Sequence, residues 1–246
     1  MTTAPVEDQH RLLDVQALDT RAAQIAHARA THPQRAVVDA TAARLAELDD
    51  RLLVARTAVA DTRRELAKAE ADVEQVRTRA ARDQARIDSG AVSVKDVQAL
   101  SGELEALARR QSHLEDVELE VMERLEGLEA ELAEAETAAE QVRAEHETAT
   151  AELDRLLAGL DAEAAQVTTD RAERAAGLDA ALVALYDRLR GQLGGTGVAV
   201  LRGHRCEGCR LELNASELAR IAALPLDEVI RCDECGRILV RGADAR

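Results

Sequence analysis

The chain has 246 residues, no Phe, no Trp and a single Tyr, Tyr186, and carries a formal net charge of −15. Compact domains draw much of their buried area from aromatic side chains, so this composition excludes an ordinary globular core and leaves Leu, Val, Ile and Ala to be buried along a thin seam. Ala, Glu, Arg and Leu dominate, as in coiled coils and long helices.

Met1 to Asp8 offer neither a basic flank nor an apolar stretch, so no signal peptide is expected. No run reaches the ~18 apolar residues of a membrane span. All four cysteines fall in two close pairs within the last 41 residues. Together these features predict a cytoplasmic protein with reduced thiols and no membrane association. The basic residues are 30 Arg and only Lys68 and Lys95, a bias that fits a GC-rich genome.

In chain order, a first helix is predicted from Val6 to Ala30. Pro33 then breaks the pattern, because proline suits the first turn of a helix and disrupts its interior. From Val38 to Ile87 the apolar positions follow in alternating steps of three and four, and only Asp83 among them is charged. The same alternation runs from Leu104 to Leu160. A sustained 3.5-residue repeat gives a left-handed supercoil rather than one helix lying on a globular core.

Between these arms lies a tip at residues 88–95. Gly90 can supply the left-handed residue that ends a helix, and Ser93 with Asp96 reads as a capping box. A short connection favours antiparallel neighbours, so facing residues should sum to roughly 182. Charge agrees with the pairing. Arg51 to Arg86 hold nine bases and six acids, whereas Glu103 to Asp154 hold 17 acids and four Arg. Gln111, Glu118 and His146 are polar positions in the seam, where such residues fix register.

The return pattern continues weakly through Leu178, Leu182, Leu185 and Leu189 and stops at the glycine-rich stretch 191–197. The division drawn from composition is therefore a helical hairpin over 1–190, a linker over 191–197 and a cysteine module over 198–246. The fold class is mainly α: a long antiparallel coiled-coil hairpin, kinked near Pro33, with a small β-rich C-terminal zinc ribbon.

Cys206-Glu-Gly-Cys209 and Cys232-Asp-Glu-Cys235 are separated by 22 residues. Two such knuckles present four thiolates, the ligand set of one tetrahedral zinc ion. Two disulfides or a redox-active pair are the competing readings, but the first suits an oxidising compartment and the second a βαβ setting. Gly208 and Gly236 are expected to supply backbone freedom for the knuckle turns. Val198 to Leu201, Val229 with Ile230, and Ile238 to Val240 read as strands, and Asn214 to Glu217 as the start of a helical turn. Four protein ligands leave no open position for hydrolysis, and a module of about 45 residues needs metal binding to supply missing stability.

No phosphate-binding loop, serine nucleophile or paired carboxylate stands out, so neither catalysis nor a small-molecule substrate is expected. Arg202, Arg205, Arg210, Arg231, Arg237 and Arg241 flank the knuckles in sequence and are candidates for contacting nucleic acid or a protein partner. Phosphate binding needs such cations. Eight acids between Arg202 and Arg246 balance eight arginines, and there is no aromatic platform for single strands.

Cys232-Asp-Glu-Cys-Gly-Arg-Ile-Leu-Val240 resembles the ending of a bacterial family that joins a coiled-coil hairpin to a four-cysteine zinc ribbon, although that family usually has an aromatic residue where Val240 stands. Leu100-Ser-Gly-Glu-Leu104, Gln111-Ser-His-Leu-Glu-Asp116, Glu120-Val-Met-Glu123 and Leu185-Tyr-Asp-Arg-Leu189 are also similar to its signatures. The resemblance implies a kinked hairpin, one structural zinc on the four cysteines and no catalysis. Some members are chaperone-like regulators that bind an alternative sigma factor or a transcript, with ties to flagella or secretion. The expected function is thus a scaffold or adaptor for a protein partner, with nucleic-acid binding through the ribbon as the alternative.

Overall fold

The computed structural model describes residues 2–242. In order, the chain forms α1 (Val6–Ala30), α2 (Gln34–Asp88), α3 (Val94–Ala175), α4 (Ala180–Gln192), β1 (Val198–Arg202), β2 (Arg205–Cys206), α5 (Ala215–Ala223), β3 (Ile230–Arg231) and β4 (Ile238–Arg241). No helix among the described residues is long and apolar enough to cross a membrane. Contacts divide the chain into two compact units, Ala36–Thr150 and Met1–Arg35 with Ala151–Arg246.

The first of these units is the hairpin. The buried residues of α2 are Thr41, Leu52, Val59, Thr62, Ala69, Val73, Val76 and Asp83, and each lies on the three-four row. On α3, Leu107, Val121, Ala139, Val142 and Ala149 are buried on the matching row, and Leu100 extends it by one step. At the tip Gly90 takes φ +66, a conformation that costs other residues more. Its N–H donates to the carbonyl of Ile87 at 3.1 Å. The capping box is half formed. Ser93 Oγ accepts from the Asp96 N–H at 3.2 Å, while the Asp96 carboxylate accepts from the Ser93 hydroxyl at 2.6 Å instead of reaching the backbone.

Cross-helix ion pairs join bases of α2 to acids of α3, among them Arg44–Glu145, Arg56–Glu136, Arg63–Glu129 and Arg77–Glu115. Their numbers sum to between 189 and 192, whereas Arg79–Glu103 meets the anticipated 182. The lower of these sums lies one heptad beyond the anticipated one, a shift that keeps the three-four rows of both arms facing each other. The arginines are exposed and most of the acids half-buried, and such surface pairs contribute at most about 1 kcal/mol each, so they set partner and register more than stability. Within the seam, Thr41 Oγ1 lies 3.0 Å from His146 Nδ1. Thr41 Oγ1 also lies within hydrogen-bond distance of the Val37 and Val38 carbonyls, at 3.0 and 2.9 Å.

In the second unit, α1 ends at Ala30 and α2 restarts at Gln34, bracketing Pro33. The weak continuation of the return arm is two helices, not one. Ala175 ends α3, Gly177 takes φ +75, and Asp179 caps α4 by accepting from the Leu182 N–H at 2.9 Å. The sheet has order β2-β1-β4-β3, with β1 and β4 parallel and the outer pairs antiparallel. Alternation along a strand sends successive side chains to opposite faces, and both faces are buried. Val198, Ile238 and Val240 join Leu12, Val15, Leu182, Tyr186 and Leu189 of α1 and α4. Ala199, Leu201 and Leu239 join Ile221 of α5 and the buried cysteines.

The glycine-rich segment is fastened along its length rather than free. Gln16 on α1 accepts from the Gly197 N–H at 2.7 Å and donates to the Gly195 carbonyl at 3.0 Å. The residues before α1 are also held: the Ala4 N–H donates to Asp227 O, and the Val229 N–H to Thr2 O. A Cβ at Gly197 would lie 2.8 Å from the Tyr186 carbonyl and 2.9 Å from its ring. Gly197→Ala should therefore destabilise this unit by about 2 kcal/mol, seen as a lower midpoint in thermal unfolding of the zinc-loaded protein.

Candidate metal centre

The sheet register places the two knuckles together. Cys206 pairs with Leu201 at the end of β2, and Cys232 follows β3, whose Arg231 pairs with Ile238. Each knuckle closes by the same backbone bond: Arg210 N–H to Cys206 O at 2.7 Å, and Gly236 N–H to Cys232 O at 2.8 Å. The residue after each second cysteine is left-handed, with φ +63 at Arg210 and +74 at Gly236. Gly236 thus has the expected role, whereas the left-handed position of the first knuckle is Arg210, not Gly208. Gly208 is required by close approach, because a Cβ there would sit 2.8 Å from Ala199 Cβ and from Arg237 Cδ.

Cys206 Sγ and Cys235 Sγ are 3.9 Å apart, Cys209 Sγ and Cys232 Sγ 4.0 Å, and all four lie within 4.8 Å of one another. A tetrahedron with Zn–S bonds of about 2.3 Å has edges of about 3.8 Å. Sulfurs in a disulfide would be about 2.05 Å apart, and all four cysteines are free. The donor set therefore fits one structural zinc ion in a closed shell, which leaves no position for a reacting water. Burial pushes the Cys206 thiol up and the Cys232 thiol up to about 12. Burial also acts to raise Cys235, but the backbone N–H and side chain of Arg237 bring it down to about 7.

The second knuckle is braced by α5. Asn214 Oδ1 accepts from the Glu217 N–H at 2.8 Å, and the buried Glu217 carboxylate accepts from the Asp233 N–H at 3.3 Å. Arg220 reaches the Asp233 carboxylate at 3.2 Å. The sequence reading placed Glu217 at the start of a helical turn, as found in α5, but gave it no part in supporting the second knuckle; its signal is the Asn-x-x-Glu spacing of a capping box.

Most of the six flanking arginines are tied to backbone carbonyls. Arg205 donates to Arg210 O and Arg231 to Gly236 O, both at 2.9 Å. Arg237 donates to Thr196 O and Leu193 O. Arg241 reaches the carbonyls of Ile221, Leu224, Pro225 and Leu226 at 3.1–3.2 Å. Arg202 and Arg210 are exposed, and neither guanidinium has a hydrogen bond or ion pair among the described residues.

Residues 15–194 match the family model described as a CT398-like coiled coil hairpin domain. The chain belongs to that family. Residues 205–239 match a C4-type zinc ribbon domain, which covers all four cysteines. The chain of this CT398-like protein is 41% identical over 239 residues to an uncharacterized protein of Mycobacterium tuberculosis, covering 97% of each. An uncharacterized protein of Mycobacterium leprae is 32% identical over 90% of this chain and 95% of its own. Among solved structures, one from Mycobacterium smegmatis aligns with TM-score 0.87 and 37% identity over 98% of this chain and 100% of that one. CT398 from Chlamydia trachomatis aligns with TM-score 0.52 at 18% identity, over 96% of this chain and 98% of its own, a likeness of fold.

Because Cys206 and Cys232 hold their protons at neutral pH in the metal-free form, zinc must displace them. Loading zinc at pH 7 should release at least two protons per chain. Zinc affinity should rise with pH and fall on acidification, as read from proton release and from chelator competition between pH 6 and 8. Arg210→Gly relieves a left-handed arginine that costs about 1 kcal/mol. It should slow zinc loss to a chelator and raise the unfolding midpoint, whereas Gly236→Ala should do the reverse.

Proposed function

We propose that this chain is a non-enzymatic scaffold that offers its helical hairpin and zinc ribbon to a protein partner belonging to the transcription or RNA machinery. The observation that carries this reading is how the ribbon spends its cations. Arg205, Arg231, Arg237 and Arg241 are engaged by the fold's own carbonyls, so the basic row in the sequence is largely internal bracing. The four-thiolate shell is closed, which supports a structural role for the metal. The resemblance to chaperone-like regulators supplies the class of partner.

The alternative is nucleic-acid binding by the ribbon. It is favoured by Arg202 and Arg210, which keep free guanidinium groups, with Arg210 held in a backbone conformation that non-glycine residues rarely adopt. Against it stand the formal charge of −2 left by four thiolates on one zinc dication and the exposed Glu207 and Glu212 nearby. Two free cations support only a shallow dependence of affinity on salt.

The zinc-loaded chain titrated with mixed RNA and DNA over a salt series, beside Cys232→Ser, distinguishes the two. The scaffold reading expects no zinc-dependent binding near physiological salt. It also expects a discrete protein adduct when a photo-crosslinker is placed on the ribbon, lost in Cys232→Ser. Tight, salt-sensitive and zinc-dependent binding that Arg202→Ala and Arg210→Ala abolish would overturn it in favour of the alternative.

A further inference from the structure

On one flank of the hairpin in Ala36–Thr150 the cross-helix pairs form a ladder with one rung missing. Asp49–Arg143 at 3.9 Å, then Arg56–Glu136, Arg63–Glu129 and Arg77–Glu115 at 2.6–2.8 Å, all sum to 192 and fall on one seven-residue repeat. The repeat skips the level of Glu70 and Met122, where an acid faces a thioether instead of a base. Arg63–Glu129 and Arg77–Glu115 therefore frame a window about 21 Å long.

The window is apolar at its centre and acidic around it. Met122 is 47% exposed, and Leu119, its surface neighbour one turn earlier on α3, is 56% exposed. The exposed carboxylates of Asp116, Glu123 and Glu126 stand three or four positions from one or other of these residues, and Glu70 faces Met122 from α2. None of the four acids makes an ion pair or side-chain hydrogen bond among the described residues. The bordering cations are engaged: Arg63 by Glu129, Arg77 by Glu115, Arg64 by Asp61 and Arg124 by Glu65. Lys68 lies two positions from Glu70, a spacing that puts the two on different sides of α2. Arg109, two turns before Asp116, lies beyond the Arg77–Glu115 rung.

We infer that this window docks a basic amphipathic helix of a partner protein. The inference rests on the scaffold reading above and adds the chemistry of the partner. A helix laid along the rod brings an apolar stripe, spaced every three or four residues, over Leu119 and Met122. Arg or Lys beside that stripe reach Glu70 on one side and Glu123 and Glu126 on the other. Methionine adapts to irregular apolar partners, and Ala67, one turn before Glu70, keeps the approach low. A second copy is a poorer fit, because most arginines of the hairpin already hold acids of their own chain. A fifth Arg–Glu rung would have sealed the flank. Glu70 with Met122 leaves open one anion and one apolar anchor.

The test is fluorescence anisotropy of the zinc-loaded full chain with a labelled helical peptide of about 18 residues. The peptide carries a Leu stripe at three-four spacing flanked by Arg, and its control carries the same stripe flanked by Glu. The wild type should bind the Arg peptide at least about tenfold more tightly than the control. Glu70→Arg combined with Met122→Glu completes the missing rung. It should weaken binding at least about tenfold without lowering the unfolding midpoint. Glu131→Gln makes the same change in net charge two positions beyond Glu129, off this flank, and should leave binding unchanged. Leu119→Ser should weaken binding while helix content by circular dichroism stays the same. Equal binding of the two peptides, a completed rung that binds like wild type, or Glu131→Gln as damaging as the completed rung overturns the inference. A wild-type dimer in sedimentation equilibrium that the completed rung dissociates would overturn it in favour of a second copy. The crosslink on the ribbon tests the scaffold reading separately, so a window that fails beside a ribbon adduct removes this inference alone.

Discussion

Tyr186 is the chain's only aromatic residue and is fully enclosed. Its hydroxyl donates to Asp19 Oδ2 at 2.7 Å, and the same buried carboxylate accepts from Arg171 at 2.9 Å and faces Arg190 at 3.5 Å. Those groups come from α1, α3 and α4, and the backbone at Gly197 presses against the tyrosine ring. Burial, reinforced by the bond to Asp19, pushes the phenol well above its ordinary value, so it stays a neutral donor. A buried carboxylate is tolerable only with such partners. One aromatic side chain with one fully engaged acid thus fixes the place where three helices and the base of the ribbon meet.

The sheet grows from that base and is buried on both faces, one against α1 and α4 and the other against α5 and the knuckles. The ribbon is therefore better supported than a free module of its length. Zinc closes the second face, where Leu201, Leu213, Ile221 and Ile230 form a small core around Cys206 and Cys232. Structural zinc is worth on the order of 10–16 kcal/mol in small domains, and here it consolidates a layer whose opposite side is already held by helices.

The sequence was most legible where structure repeats or where chemistry is local. The three-four row marked the hairpin seam residue by residue, Pro33 and Gly90 marked its breaks, and the cysteine spacing marked the ligands of the metal site. The break at Gly177 was obscured because Leu178, Leu182 and Leu189 continue the apolar spacing across it. Register was less legible, because three-four rows that repeat every heptad can face each other at more than one heptad offset. The surroundings of the arginines were not legible for another reason. Adjacency in sequence groups Arg231, Arg237 and Arg241 around the knuckles, whereas Arg237 reaches Leu193 and Arg241 reaches Ile221 through long-range bonds that sequence order does not show.

The hydrogen bonds between Thr2 and Val229 and between Ala4 and Asp227 impose an order of assembly during synthesis. Residues 36–150 can zip into their hairpin as soon as they are made, because their contacts close outward from one turn. Residues 2–35 cannot complete their packing until partners about 200 positions downstream have been translated, a delay of roughly 10–40 s at about 5–20 residues per second. Through that interval α1 carries Leu12 and Val15 without the sheet that will cover them. A nascent chain of this protein is therefore most exposed to misassembly along α1, and the making of β4 brings that exposure to an end.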